Sequence, residues 1–141
     1  MLYSSTMEPA DLAAATRAAE VDALTAAGTF GAALRGSPEF TGLLAAENAL
    51  AADAAANAAI GAFQSRQEDL RTEVVMGVLA DDQREELERL QAAMLAVPSV
   101  AAYVAATETF RAVCRETAAV VSAQIGIDFA ANCRSGGCCG S

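Results

Sequence analysis

In the middle of the chain, large residues stand out from alanine at Ile60, Phe63, Gln67, Leu70 and Val74, at spacings of 3, 4, 3 and 4. That rhythm is the seam of a helix packed along another helix. Leu87, Leu90, Met94 and Val97 repeat it at 3, 4 and 3. The pattern stops between the two at Met76-Gly77, and Asp81-Asp82 offers a cap for the second segment. Two seam-bearing helices joined by a short break predict a central antiparallel hairpin. No sustained period-two alternation rich in β-branched residues appears anywhere, so no strands are expected.

Helices flank this hairpin on both sides. Glu8-Pro9-Ala10-Asp11 opens one that runs to about Arg35, with Leu12, Ala15, Ala19, Leu24, Ala27, Phe30 and Leu34 as a loose apolar face. Ser37-Pro38-Glu39 restarts the helix, serine capping and proline in the first turn, and Phe40, Leu43, Leu44 and Leu50 form its stripe. Asp53 either caps a fresh segment or sits on the outer face. Pro98 begins a last helix with Val100, Tyr103, Thr107, Phe110, Cys114, Thr117 and Val121 in register. Gly126 is its stop signal. By this register Cys114 is a small buried hydrophobe. "SPEFTGLLAAENAL" (37–50) and "VPSVAAYVAATETF" (97–110) echo each other, either as two ordinary helix starts or as pseudo-symmetry about the hairpin. The fold class expected is all-α, four or five helices, bundle-like, with residues 1–126 as the helical domain.

The 141 residues are enough to bury a core without disulfides or metal. Yet of the 54% hydrophobic residues much is alanine, and only 5% of the chain is aromatic. Few large residues must cover long alanine faces, so self-association is expected. The formal charge is −9. Phosphate backbones repel such a chain, which argues against direct nucleic-acid binding. MLYSSTMEPADL has neither a basic n-region nor an apolar h-region, and the apolar run from Gln91 to Thr107 is too weak for a membrane span. A soluble, cytoplasmic protein is the expectation.

Catalytic signatures are missing. There is no histidine, the usual acid–base group near neutrality. GxSxG, P-loop and dinucleotide motifs are absent, as is any ExxH or paired ExxE arrangement for a di-iron bundle. The pairs Glu68-Asp69, Asp81-Asp82 and Glu85-Glu86 read as solvated helix faces. A non-enzymatic role follows.

Three of the four cysteines, Cys133, Cys138 and Cys139, gather in the tail, residues 127–141, whose end reads CRSGGCCGS. The tail has no apolar periodicity, so these thiols are not core. Glycines let backbone wrap an ion, and thiolate is the soft ligand of zinc and iron–sulfur centres. Three thiols are one short of a four-cysteine site, and no histidine can complete it. Adjacent cysteines also fit one tetrahedral ion poorly, so mononuclear zinc fits less well than a larger cluster or a site completed by a second chain. Redox chemistry at the vicinal pair Cys138-Cys139 and a tail without function are the other readings.

"SPEF", "FQSRQEDL" (63–70), "LERLQAAM" (87–94), "VPSVAAYVAATETF" and above all "IGIDFAANCRSGGCC" (125–139) resemble the YlbF/YmcA family of small helical bacterial regulators. The resemblance runs from about Leu34 to Cys139. Its most specific part is the ending. At Ala54 the chain departs from the family, whose members often carry proline after the matching aspartate. The resemblance implies an all-helical, self-associating fold. It also implies a regulatory or adaptor subunit in a complex with a YaaT-type partner that carries 4Fe–4S clusters, associates with ribonuclease Y in messenger RNA maturation, and influences competence, sporulation and biofilm formation. Carried over, the cluster-ligand role falls on Cys133, Cys138 and Cys139, with the cluster shared between chains. A thiol-redox or soft-metal protein and a purely structural dimerising bundle are the alternatives.

Overall fold

The computed structural model describes residues 8–131. Six helices follow one another: α1 Pro9–Arg35, α2 Pro38–Ala52, α3 Ala54–Asp69, α4 Arg71–Met76, α5 Asp81–Leu95 and α6 Pro98–Ile125. Helical residues resume at Phe129. No strand occurs among the described residues, so the chain is all-α as its periodicity predicts. The helices outnumber the four or five expected: Asp53 takes the capping role of its two readings, and Leu70 interrupts what the spacing reads as one continuous segment.

Local chemistry sets the starts and stops. Ser37 Oγ accepts the Phe40 amide at 3.2 Å, and Pro38 needs no donor in the first turn. Asp53 caps α3 through one oxygen, accepting the amides of Ala55 at 2.9 Å and Ala56 at 3.2 Å. Asn57 Nδ2 then donates back to the Ala51 carbonyl at 3.1 Å, occupying an acceptor that the end of α2 leaves open. The cap needs no proline at Ala54. Gly77 closes α4 at φ +69, where the amide of Val78 donates to Glu73 O, a left-handed stop that glycine enters without a Cβ penalty. The cap expected from Asp81-Asp82 is not what forms. Both acids lie inside the first turn of α5, and Gln83 Oε1 instead takes the amide of Ala80 at 3.0 Å.

α2 packs along α6, and α5 returns along α3. Between α5 and α6 the axis bends by 84° across Ala96-Val97. The two helix pairs therefore meet at a corner. At that corner the second oxygen of Asp53 accepts the hydroxyl of Ser99, in the first turn of α6, at 2.6 Å. Ala56 and Val100, each next to this contact in sequence, are two of only three residues buried among the described ones; the third is Leu70. Further out, Phe40 and Phe110 pair at 5.5 Å between centroids with planes 53° apart, tying α2 to α6. On the other arm Arg66 donates through Nε and Nη2 to one Glu86 oxygen, each at 2.8 Å, linking α3 to α5.

Ile60, Phe63, Leu87, Leu90, Met94 and Val97 of the two seams are half-buried. Gln67 in α3 and Val74 in α4 are exposed, so the seam does not continue through the break at Leu70. α1 has no buried residue and touches α2 only slightly. Its alanine content favours helix without tertiary support, and Thr16, Thr25 and Thr29 hydroxyls bond the carbonyls four residues back. No single helix is long and apolar enough to cross a membrane.

The corner gives a pH-dependent prediction. The Ser99 hydroxyl first, and the capped amides of Ala56 and Ala55 after it, hold the Asp53 carboxyl below its ordinary value of 3.8 against the opposing effect of burial. A lowered folded value means stability that is present above 3.8 and lost as pH falls through the folded value. Thermal melts followed by circular dichroism should rank wild type above Asp53→Asn and that above Asp53→Ala at neutral pH. The gap between wild type and Asp53→Asn should close in acid.

Candidate functional site

The three thiols singled out by sequence, Cys133, Cys138 and Cys139, lie outside the described residues. The structure does place the platform from which their segment leaves. α2 is 15 residues long and α6 is 28. At 1.5 Å per residue that is roughly 22 Å against roughly 42 Å. Antiparallel pairing from the corner therefore uses up α2 near Phe110, and the last four turns of α6 run on without it.

At the end of α6 the chain turns back on itself. Gly126 sits at φ +74, with its amide bonded to Ser122 O at 2.9 Å. Two residues of reversal then bring the Phe129 amide to Ser122 Oγ at 3.0 Å, while that hydroxyl donates to Ala118 O at 2.7 Å. Asp128 Oδ1 accepts the amide of Ala131 at 2.9 Å, starting the next helical residues. Ser122 is thus both acceptor and donor, and it fixes where residues 127–131 lie.

The returning segment and the exposed end of α6 enclose an open groove of about 1040 Å³. Cys114, Ala118 and Ser122 line one side; Ile127, Asp128 and Ala130 line the other. Arg115 stands at its rim. Cys114 is exposed, which corrects the core position assigned to it from the 3/4 rhythm. Val113 is half-buried in its stead. Thr117 and Val121, further along the same stripe, are half-buried, so the exposure is particular to position 114 and periodicity alone does not reveal it.

The carboxylates follow the solvated-face reading except at Glu86, which is half-buried and joins α5 to α3. Glu68 and Asp81 pair only with Arg71 and Arg84 three residues on, and Glu86 is held by Arg66. Among the described residues no group of three or more acidic or cysteine side chains is placed to hold a metal. Of the four cysteines, Cys114 is the one within the described residues.

The reversal depends on the left-handed residue. A Cβ at Gly126 would meet nothing within 4 Å, so replacing it costs backbone strain alone. Gly126→Ala should lower stability by about 1 kcal/mol in denaturant titrations. Hydrogen exchange at Phe129 should quicken in the same variant.

Against known proteins, a family model described as control of competence regulator ComK, YlbF/YmcA, matches residues 23–126. No curated protein and no solved structure matches. The match begins within α1, ahead of the Leu34 at which the sequence resemblance starts. It ends at Gly126, so the cysteine tail lies beyond it. It covers all of α2 through α6, the corner and the groove-bearing end of α6. The chain belongs to the YlbF/YmcA family, whose described role is control of the competence regulator ComK.

Proposed function

We propose that this protein is a regulatory adaptor that works by contact with other protein chains. In this reading it is a subunit of a YlbF/YmcA/YaaT-like complex, with ribonuclease Y as a downstream associate. Cys133, Cys138 and Cys139 contribute ligands to a 4Fe–4S cluster, and the fourth ligand comes from outside the tail. The family match over residues 23–126 is the observation that carries the adaptor role. The chemistry of the tail supports the cluster: three thiols, glycines between them and no histidine in the chain.

Uncovered faces support association. Leu12, Val21, Leu24 and Phe30 on α1 are 46–67% exposed, and Val120 and Ile125 on the overhanging half of α6 are 62% and 50% exposed. A second copy laying its own α1 or α6 against these faces would shield both alanine surfaces at once. Light scattering after size exclusion should give a dimer or larger species, and Leu24→Asp with Phe30→Asp should shift it toward monomer. A wild-type chain that elutes only as monomer contradicts the proposed self-association.

For the cluster, protein isolated without oxygen should carry iron and labile sulfide in near-equal amounts. Changing Cys133, Cys138 and Cys139 together to serine should remove both. Full iron in that triple variant would refute the ligand assignment. Intact binding of the partner chains by the same variant would favour a purely structural helical module instead.

A further inference from the structure

We infer that the end of the α3–α5 arm is a docking surface for a basic amphipathic helix of another protein. This rests on the reading of the chain as an adaptor and names the chemistry of a partner it takes.

The surface is apolar at its centre. Val74, Val75, Met76 and Val78 are 49%, 79%, 68% and 62% exposed, the densest run of uncovered large apolar side chains among the described residues. Beneath them Leu70, 3% exposed, seats the break between α3 and α4. Past α4 the chain turns through Gly77, closed by the Val78 amide on Glu73 O at 3.0 Å and the Gly77 amide on Val74 O at 3.2 Å. In this kind of helix ending the residue after the glycine commonly packs back on the last turn. Here the position that would receive Val78 carries Glu73, a carboxylate, so Val78 stays outside while Leu79 is half-buried. The apolar surface is thus formed before any partner arrives, which spares the cost of ordering it on binding.

Charge names the partner. Residues 68–88 carry eight carboxylates and two arginines, so a net −6 of the chain's −9 lies on this stretch. Glu68 and Asp81 are answered by Arg71 and Arg84, at 3.3 and 4.0 Å, and Glu86 by Arg66. Asp69 before the apolar run, and Asp82 and Glu85 after it, are exposed and enter none of the ion pairs among the described residues. An acidic border repels phosphates, so neither RNA nor an anionic lipid surface is its complement. An apolar stripe edged by lysine or arginine is. Methionine, unbranched, adapts its shape to such a stripe. A shallow groove of about 390 Å³, lined by Gln64, Gln67 and Glu68 of α3 and by Arg71, Val74 and Val75 of α4, gives the incoming helix a bed.

The described part of this chain has no such helix to place there. α1 sets Asp11, Glu20 and Asp22 against Arg17 and Arg35, and α6 sets Glu108 and Glu116 against Arg111 and Arg115. None of the other helices carries a net positive charge. The occupant is therefore a different chain and not a second copy.

The test uses the full-length chain, reduced, and two synthetic peptides of about 18 residues, five helical turns. One is an amphipathic helix of leucine and lysine; the other has glutamate in place of every lysine. Fluorescence anisotropy should find binding of the first and none of the second. Val75→Ser, Met76→Ser and Val78→Ser together should weaken binding roughly tenfold or more, with the thermal melt unchanged because all three are exposed. Asp82→Asn with Glu85→Gln should weaken it severalfold at low salt and less in about 1 M salt. Leu12→Ser with Leu24→Ser, equally uncovered positions on α1, should leave it unchanged. No binding by the wild-type chain, full binding by the triple variant, or an equal loss in the α1 variant overturns the docking surface and leaves the adaptor reading in place. The adaptor reading fails by a separate result, a wild-type chain that assembles with none of the complex's other subunits when produced together with them.

Discussion

One carboxylate organises this molecule. Asp53 spends one oxygen on the first amides of α3 and the other on Ser99 at the start of α6. A single side chain thereby ends one helix, starts the next, and fastens that junction to the place where the return strand of the path makes its own bend. Because α2 and α6 both run from this point, their register is set here, and Phe40 meets Phe110 as a result. The arm of α3 and α5 is aligned from the same point and secured further along by Arg66 and Glu86. How far α6 projects beyond α2 follows from this starting point and the unequal lengths of the two helices.

Much of this was legible in the sequence, and the misses have physical reasons. Helix starts at Pro9, Pro38 and Pro98 and the stop at Gly126 are written in residues that act locally, so they could be read without knowing the neighbours. Asp53 remained ambiguous because a cap and a solvated acid look alike until Ser99, 46 positions away, is brought beside it. The break at Leu70 has no glycine or proline to announce it. Cys114 keeps time with Phe110 and Thr117 and is nonetheless exposed, while its neighbour Val113 is half-buried. The tail thiols lie outside the described residues, so composition and ligand chemistry alone speak to them.

Family membership and architecture point the same way. Among the described residues only three are buried, and the helices are long and alanine-rich. The chain has faces. α1, the overhang of α6 and the apolar tip at Val75, Met76 and Val78 all present carbon to solvent. Among the described residues, exposed apolar side chains outnumber buried ones.

The thin interior carries a thermodynamic signature. Denaturant slope and heat-capacity change both scale with the surface that unfolding newly exposes. When most side chains are already wet, that increment is small, and a lone chain would melt over a broad range with little cooperativity. Sharp unfolding would then be a property of the assembly, and the concentration at which transitions steepen would report the strength of association.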